Sequence, residues 1–148
     1  MRVLFTTRGS SGHIGPLAPF AHACVRAGHD VLVAAQRQFE GNIERAGLPF
    51  APVDEPSRDE WMPLMASFAD LDMDTANGVM IREFFAGLDL RAELPALRAI
   101  VESRRPDVIV RESWEFGSTL VAEVYGIPIA RVGLGRNLAC RPTPAASG

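Results

Sequence analysis

Short apolar runs that do not alternate with polar residues narrow the fold of this chain more than any other feature. Val3 to Thr7, Val31 to Ala35, Asp107 to Val110 and Ile127 to Val132 are each too short for a helix and mostly apolar on successive positions. A strand written this way is covered on both faces, the usual condition of a parallel sheet. Leu48 to Val53 joins them as a weaker strand bounded by Pro49 and Pro52.

Between these runs the spacing turns helical. Leu17, Phe20, Ala21, Cys24 and Val25 predict one apolar helix face, with Pro16 suited to the first turn and Gly28 to the end. Phe39 to Ala46 predicts a short helix stopped by Gly47. Residues 78 to 103 read as helical, with Pro95 a break or fresh start, and Glu115 to Tyr125 as a helix ended by Gly126. Residues 54 to 75, with Pro56 and Pro63, read as a mobile loop holding a short helix. The order predicts an α/β fold, a doubly wound and mainly parallel Rossmann-like sheet. It occupies residues 1–135 as one domain, followed by a linker-like tail at 136–148 rich in Pro, Ala and Gly.

Composition removes several function classes. With 148 residues the chain fits one domain, and its net charge of −3 argues against nucleic acid as a partner. No run reaches about 18 uninterrupted apolar residues, so no membrane span is expected. The first residues read as a strand rather than a signal peptide. Cys24 and Cys140 form no disulfide framework and no metal-ligand spacing. The cytoplasm suits both cysteines, and Cys24 reads as a small core residue.

In such sheets ligands bind at the carboxyl ends of the strands. The loop Arg8-Gly9-Ser10-Ser11-Gly12-His13-Ile14-Gly15-Pro16 leaves the first strand there. Its glycines allow a tight turn and close approach of a ligand. His13 falls at a helix N-terminus, where the dipole disfavours imidazolium, and a neutral histidine is a competent general base. A helix-start residue with no chemical role is the competing reading. The loop is not a dinucleotide fingerprint: its glycines are spaced G-x-x-G-x-x-G, and no acidic residue ends the second strand. His22 and His29 read as surface and turn residues. A base histidine works best with a carboxylate that fixes its tautomer. Glu112 follows the fourth strand, which neighbours the first, and is the candidate. Glu115 is the reserve. Glu112 as a solvated residue paired with Arg111 remains the alternative.

Three segments together resemble the start of bacterial GT-B glycosyltransferases that modify macrolides, enediynes and related natural products. They are Gly12-His13-Ile14-Gly15-Pro16-Leu17-Ala18-Pro19-Phe20, Ala27-Gly28-His29-Asp30-Val31 and Ala46-Gly47-Leu48-Pro49-Phe50. Arg105-Pro106-Asp107-Val108-Ile109-Val110-Arg111-Glu112 and Tyr125-Gly126-Ile127-Pro128 continue the likeness. The resemblance implies the N-terminal, acceptor-binding half of an inverting transferase. His13 would be the base. Glu112 would stand where the family usually has an aspartate, one methylene shorter. The donor would be a nucleotide-diphosphate sugar held by a C-terminal domain that this sequence lacks. No metal and no cofactor is then expected on this domain, and the isolated chain is expected to be inactive.

The resemblance also implies a small-molecule acceptor. Ser11 and Gly12 are placed in its site beside His13, with Trp61, Met65, Phe68 and Trp114 as large apolar contacts. Phe84 and Phe85 read rather as core packing. A cell-envelope N-acetylglucosamine transferase half and a non-enzymatic small-molecule-binding domain are the alternatives. Self-association through the exposed interdomain face is a further expectation.

Overall fold

The computed structural model describes residues 1–8 and 11–133, with the backbone alone at Ser11. Gly9, Ser10 and the expected tail at 136–148, including Cys140, lie outside the described residues. Five strands form one sheet: β1 (Arg2–Thr6), β2 (Asp30–Gln36), β3 (Phe50–Val53), β4 (Val108–Glu112) and β5 (Ile129–Val132). Their order is β3-β2-β1-β4-β5, and every pairing is parallel. The chain winds outward from β1 to β2 and β3, then crosses back to β4 and β5. That reversal opens a crevice between the carboxyl ends of β1 and β4. This is the α/β arrangement that the unbroken apolar runs predict.

Alternate residues of each strand serve opposite faces. Val3 and Phe5 pack with Val31, Val33 and Ala35 under α1 (Ser11–Arg26) and α2 (Glu40–Arg45). Leu4, Ala34 and Ile109 pack under α5 (Leu90–Arg104) and α6 (Gly117–Tyr125) through Leu97, Val101, Val121 and Ala122. Each fully buried Leu, Ile or Phe among them contributes about 1.5–3 kcal/mol. Gly126 ends α6 with φ 63°, a left-handed position that glycine occupies without a Cβ penalty.

The structure corrects several boundaries. α1 starts at Ser11 rather than near Pro16, so Pro16 and Pro19 lie inside it. Each withholds an N–H, which leaves the carbonyls of Gly12 and Gly15 without their intrahelical donor. Leu17 and Ala21 are buried, but Phe20 and Val25 are 55% and 46% exposed, because the apolar face of α1 is wider than the strands beneath it. Phe20 and Cys24 instead border a cavity of about 680 Å³ shared with Val110 and Val132.

Residues 54–75 hold the expected short helix and also the start of a second one. α3 (Arg58–Ala66) opens on Ser57, whose N–H and hydroxyl donate to Glu60 Oε2 at 2.8 and 2.7 Å. α4 (Met73–Val79) opens on Asp72, which accepts the N–H groups of Asp74 and Thr75, each at 3.0 Å. Polar residues that suggest a loop are here helix caps. α4 continues without a gap through a π-helical segment, Met80–Asp89, into α5. Pro95 sits inside α5 and breaks nothing; the helix widens upstream of it instead. Among the described residues no helix is long and apolar enough to cross a membrane.

Candidate active site at the sheet's switch point

β1 and β4 are paired in register, with Thr6 opposite Arg111. The residues just beyond, on α1 and at the end of β4, therefore meet over the crevice. Glu112 is the last residue of β4 rather than the first of a loop. His13 lies in the first turn of α1. His13 Nδ1 stands 3.1 Å from Glu112 Oε1, with the carboxylate fully buried and the imidazole 24% exposed. Neither atom has a hydrogen-bond partner elsewhere among the described residues. The separation is within hydrogen-bonding distance. Glu112 Oε2 accepts the N–H of Trp114 at 2.7 Å. One oxygen of Glu112 is thus held by its own loop and the other faces the histidine.

The loop itself is clamped from below. The Arg111 guanidinium donates to the carbonyls of Glu112, Ser113 and Glu115 at 3.0, 3.2 and 2.7 Å. It also lies over the ring of Phe116. Burial holds its pKa below the ordinary arginine value, partly opposed by Glu115. Arg111 therefore binds backbone oxygens, and the reading of Glu112 as a solvated partner of Arg111 does not hold. Ser113 Oγ adds a bond to the carbonyl of Val132 at 3.2 Å.

Glu115, the reserve partner for His13, lies on the opposite face of the sheet. Its Oε2 accepts the Thr6 hydroxyl at 2.6 Å, its Oε1 accepts the N–H of Ser118 at 2.8 Å, and the Ser118 hydroxyl bonds to it as well. Glu93 of α5 comes up beside it and accepts the N–H of Gly117 at 2.9 Å.

Arg8 is a residue that sequence reasoning passed over. It forms an ion pair with buried Asp89, and its guanidinium sits 4.9 and 4.6 Å from the ring centres of Phe84 and Phe85. Burial lowers its pKa, opposed chiefly by Glu93 and Glu112. Phe85 in turn lies 5.5 Å from Trp114, centre to centre. Phe84, Phe85 and Trp114 thus form an aromatic wall that runs from the π-helical segment to the loop after Glu112. The signal in the sequence is a lone arginine between an apolar strand and a glycine loop. Gln36, at the end of β2, is 1% exposed, and its amide finds no partner among the described residues.

The other acceptor candidates are dispersed. Gly12 is exposed beside His13. The side chain of Ser11 lies outside the described residues. Trp61 and Met65 on α3, and Phe68 just after it, are half-buried where α3 packs on the π-helical segment. Trp114 is the one large candidate that the structure brings next to Glu112.

The sheet is that of the Rossmann-like N-terminal domain of GT-B glycosyltransferases, the class to which its solved structural neighbours belong. More narrowly, the chain belongs to the family described as erythromycin biosynthesis protein CIII-like, N-terminal domain, which matches residues 22–144. It is 36% identical over 132 residues to the L-demethylnoviosyl transferase of Streptomyces niveus, covering 88% of this chain and 34% of that protein. The crystal structure of SsfS6, a Streptomyces sp. SF2575 glycosyltransferase, superposes with a TM-score of 0.76 at 30% identity, covering 90% of this chain and 39% of that one. SsfS6 complexed with thymidine diphosphate gives a TM-score of 0.74 at 29% identity, over 90% of this chain and 38% of that one. The chain therefore spans about a third of the length of the curated relatives it matches.

Proposed function

We propose that this chain is the acceptor-binding domain of an inverting glycosyltransferase that attaches a sugar to a hydroxyl of an apolar natural product. The observation that carries this reading is the His13–Glu112 pair at 3.1 Å, set at the carboxyl edge where such sheets bind ligands. Glu112 holds Nδ1 and leaves Nε2 for the acceptor. In the reaction Nε2 takes the proton of the acceptor hydroxyl. The oxygen attacks the anomeric carbon from the face opposite the leaving group. The bond from that carbon to the nucleotide diphosphate breaks, and its electron pair leaves with the diphosphate. Glu112 stabilises the imidazolium that forms.

The acceptor is apolar because the surfaces available to it are. Trp114 with Phe85, their rings tilted by 34°, offers an aromatic surface, and Trp61, Met65 and Phe68 offer adaptable apolar contacts. Gly12 exposes backbone for close approach beside the base. The donor is a nucleotide-diphosphate sugar held by a second domain beyond this sequence, which makes the 148-residue chain alone inactive. The thymidine diphosphate bound to SsfS6 supports a donor of that kind. The site of action is the cytoplasm.

The test is His13→Ala in a protein that joins this domain to its sugar-nucleotide domain. Turnover is expected to fall by about 10²–10⁴-fold, the usual worth of a positioned general base. Calorimetry should show acceptor binding retained. Unchanged turnover would remove His13 from the mechanism. Titrating the 148-residue chain with aglycones and with nucleotide-diphosphate sugars should show binding of the first set only.

A further inference from the structure

Glu93 and Glu115 are 1% and 2% exposed, and they lie side by side, accepting the consecutive backbone N–H groups of Gly117 and Ser118. Two ionised carboxylates buried side by side repel one another, and a proton on one of them removes that cost. The groups facing the pair come from every side. Arg8 and Thr6 approach from the end of β1, Asp89 from the π-helical segment and Ser118 from α6. Glu112 and Arg111 lie on β4. Arg8 is already matched by Asp89, and Arg111 is spent on backbone carbonyls. No cation in this group is left to neutralise a second ionised carboxyl.

The bonds assign the proton. Glu115 receives three donors: the Thr6 hydroxyl, the Ser118 N–H and the Ser118 hydroxyl. That set suits an ionised carboxylate. Among the described residues Glu93 receives the Gly117 N–H at one oxygen, leaving the other to carry a proton toward Glu115. A Cβ built on Gly117 would lie 2.3 Å from Glu93 Oε1, so residue 117 must be glycine for the carboxyl to sit this close.

We propose that Glu93 and Glu115 share one proton, and that this pair positions the corner at residues 112–117, which carries Glu112 and Trp114 to His13. The corner is held at one end by the Glu112–Trp114 bond and at the other by Gly117 and Ser118. Arg111 clamps the middle of the corner, and the pair fixes the end where α6 begins. Burial, with Glu115 adjacent, pushes the Glu93 carboxyl up to about 10, which accords with a retained proton. The positioning role rests on the reading of His13 as base and Glu112 as its orienter. Neither carboxyl of the pair touches the reacting atoms, so both are positioning residues.

The sign of the pH dependence follows. An ordinary glutamate in the unfolded chain ionises near 4.5, while folded Glu93 keeps its proton to about 10. Its contribution to stability is whole below the lower value and is lost progressively as pH rises toward the upper one.

The experiment compares Glu93→Gln and Glu93→Leu in the 148-residue chain by melting across pH and by NMR of the His13 imidazole nitrogens. Glutamine keeps a donor for Glu115 and an acceptor for Gly117. Glu93→Gln should hold the same single His13 tautomer as the parent. It should also gain melting temperature relative to the parent steadily from about pH 5 to about pH 9, because it has no proton to lose. Glu93→Leu should lose the single-tautomer signal through averaging. A melting difference that does not change with pH would show Glu93 ionised and overturn the shared proton. A folded Glu93→Leu with the parent's His13 signals would overturn the positioning role. Should Glu93→Leu not fold, Glu93→Asp, which is too short to reach Gly117, takes its place under the same criterion. These readouts need no sugar transfer. Failure of the transferase reading would appear instead as turnover surviving His13→Ala.

Discussion

Glu112 and Glu115 are three positions apart and equally buried, yet the sheet puts them to opposite uses. Glu112 faces α1 and has one oxygen with no bond among the described residues except its approach to His13. Glu115 faces α5 and α6 and has both oxygens engaged by Thr6 and Ser118. One face of the carboxyl edge is under-bonded and partly open; the other is saturated and closed. A buried polar atom without a partner is costly, and such a cost is tolerated mainly where a ligand or a reaction will use the atom. A saturated cluster of the same chemistry resists change and holds the corner still. The contrast separates a candidate reacting group from its support without any appeal to residue type.

Substitutions can break the contrast in order of expected size. Glu115→Ala strips acceptors from two hydroxyls and a backbone N–H in the interior. It should destabilise the chain by about 3 kcal/mol in chemical denaturation, within the range for unsatisfied buried groups. Gly117→Ala places a Cβ against Glu93 and should cost about 2 kcal/mol, the scale of overpacking; the same denaturation assay reads it. Glu112→Gln acts on the other face. It should leave the denaturation midpoint close to the parent's but lower kcat of the two-domain enzyme by about 10–100-fold, because an amide supports imidazolium less well. An equal stability loss in Glu112→Gln and Glu115→Ala would erase the distinction between the faces. The smallest effect belongs to the surface. Hydrogen bonds from Ser57 hold the Glu60 carboxyl below its usual value, so the cap of α3 is present at neutral pH and lost as pH falls through that lowered value. Amide exchange in the first turn of α3 should quicken in acid, and Glu60→Ala should show the quick rate at every pH.

How much of this is legible in the sequence differs from element to element. β1, β2 and β4 are readable because a buried parallel strand has no polar alternation to confuse the pattern. The adjacency of β1 and β4 then follows from the doubly wound order, and with it the choice of Glu112 near His13. Residues 54–75 mislead because Ser57, Glu60 and Asp72 are helix caps, and cap residues are also turn residues. The π-helical segment has no composition signal, since widening a helix depends on what packs against it. Phe84 and Phe85 read as core packing, whereas the structure wraps them around Arg8 and leaves Phe85 against Trp114.

The sequence by itself determined the alternation of covered strands and helices, the glycine loop with its histidine, and a glutamate at the end of the neighbouring strand. These are local properties: periodicity, chain stiffness and the turn chemistry of glycine and proline. Only the tertiary structure decided which glutamate meets His13, because side chains along a strand alternate between faces and the turn beyond Glu112 sends Glu115 to the other side. It also decided that Glu93, far away in the sequence, lies against Glu115, since burial and the company of other charges arise only when helices close over a sheet.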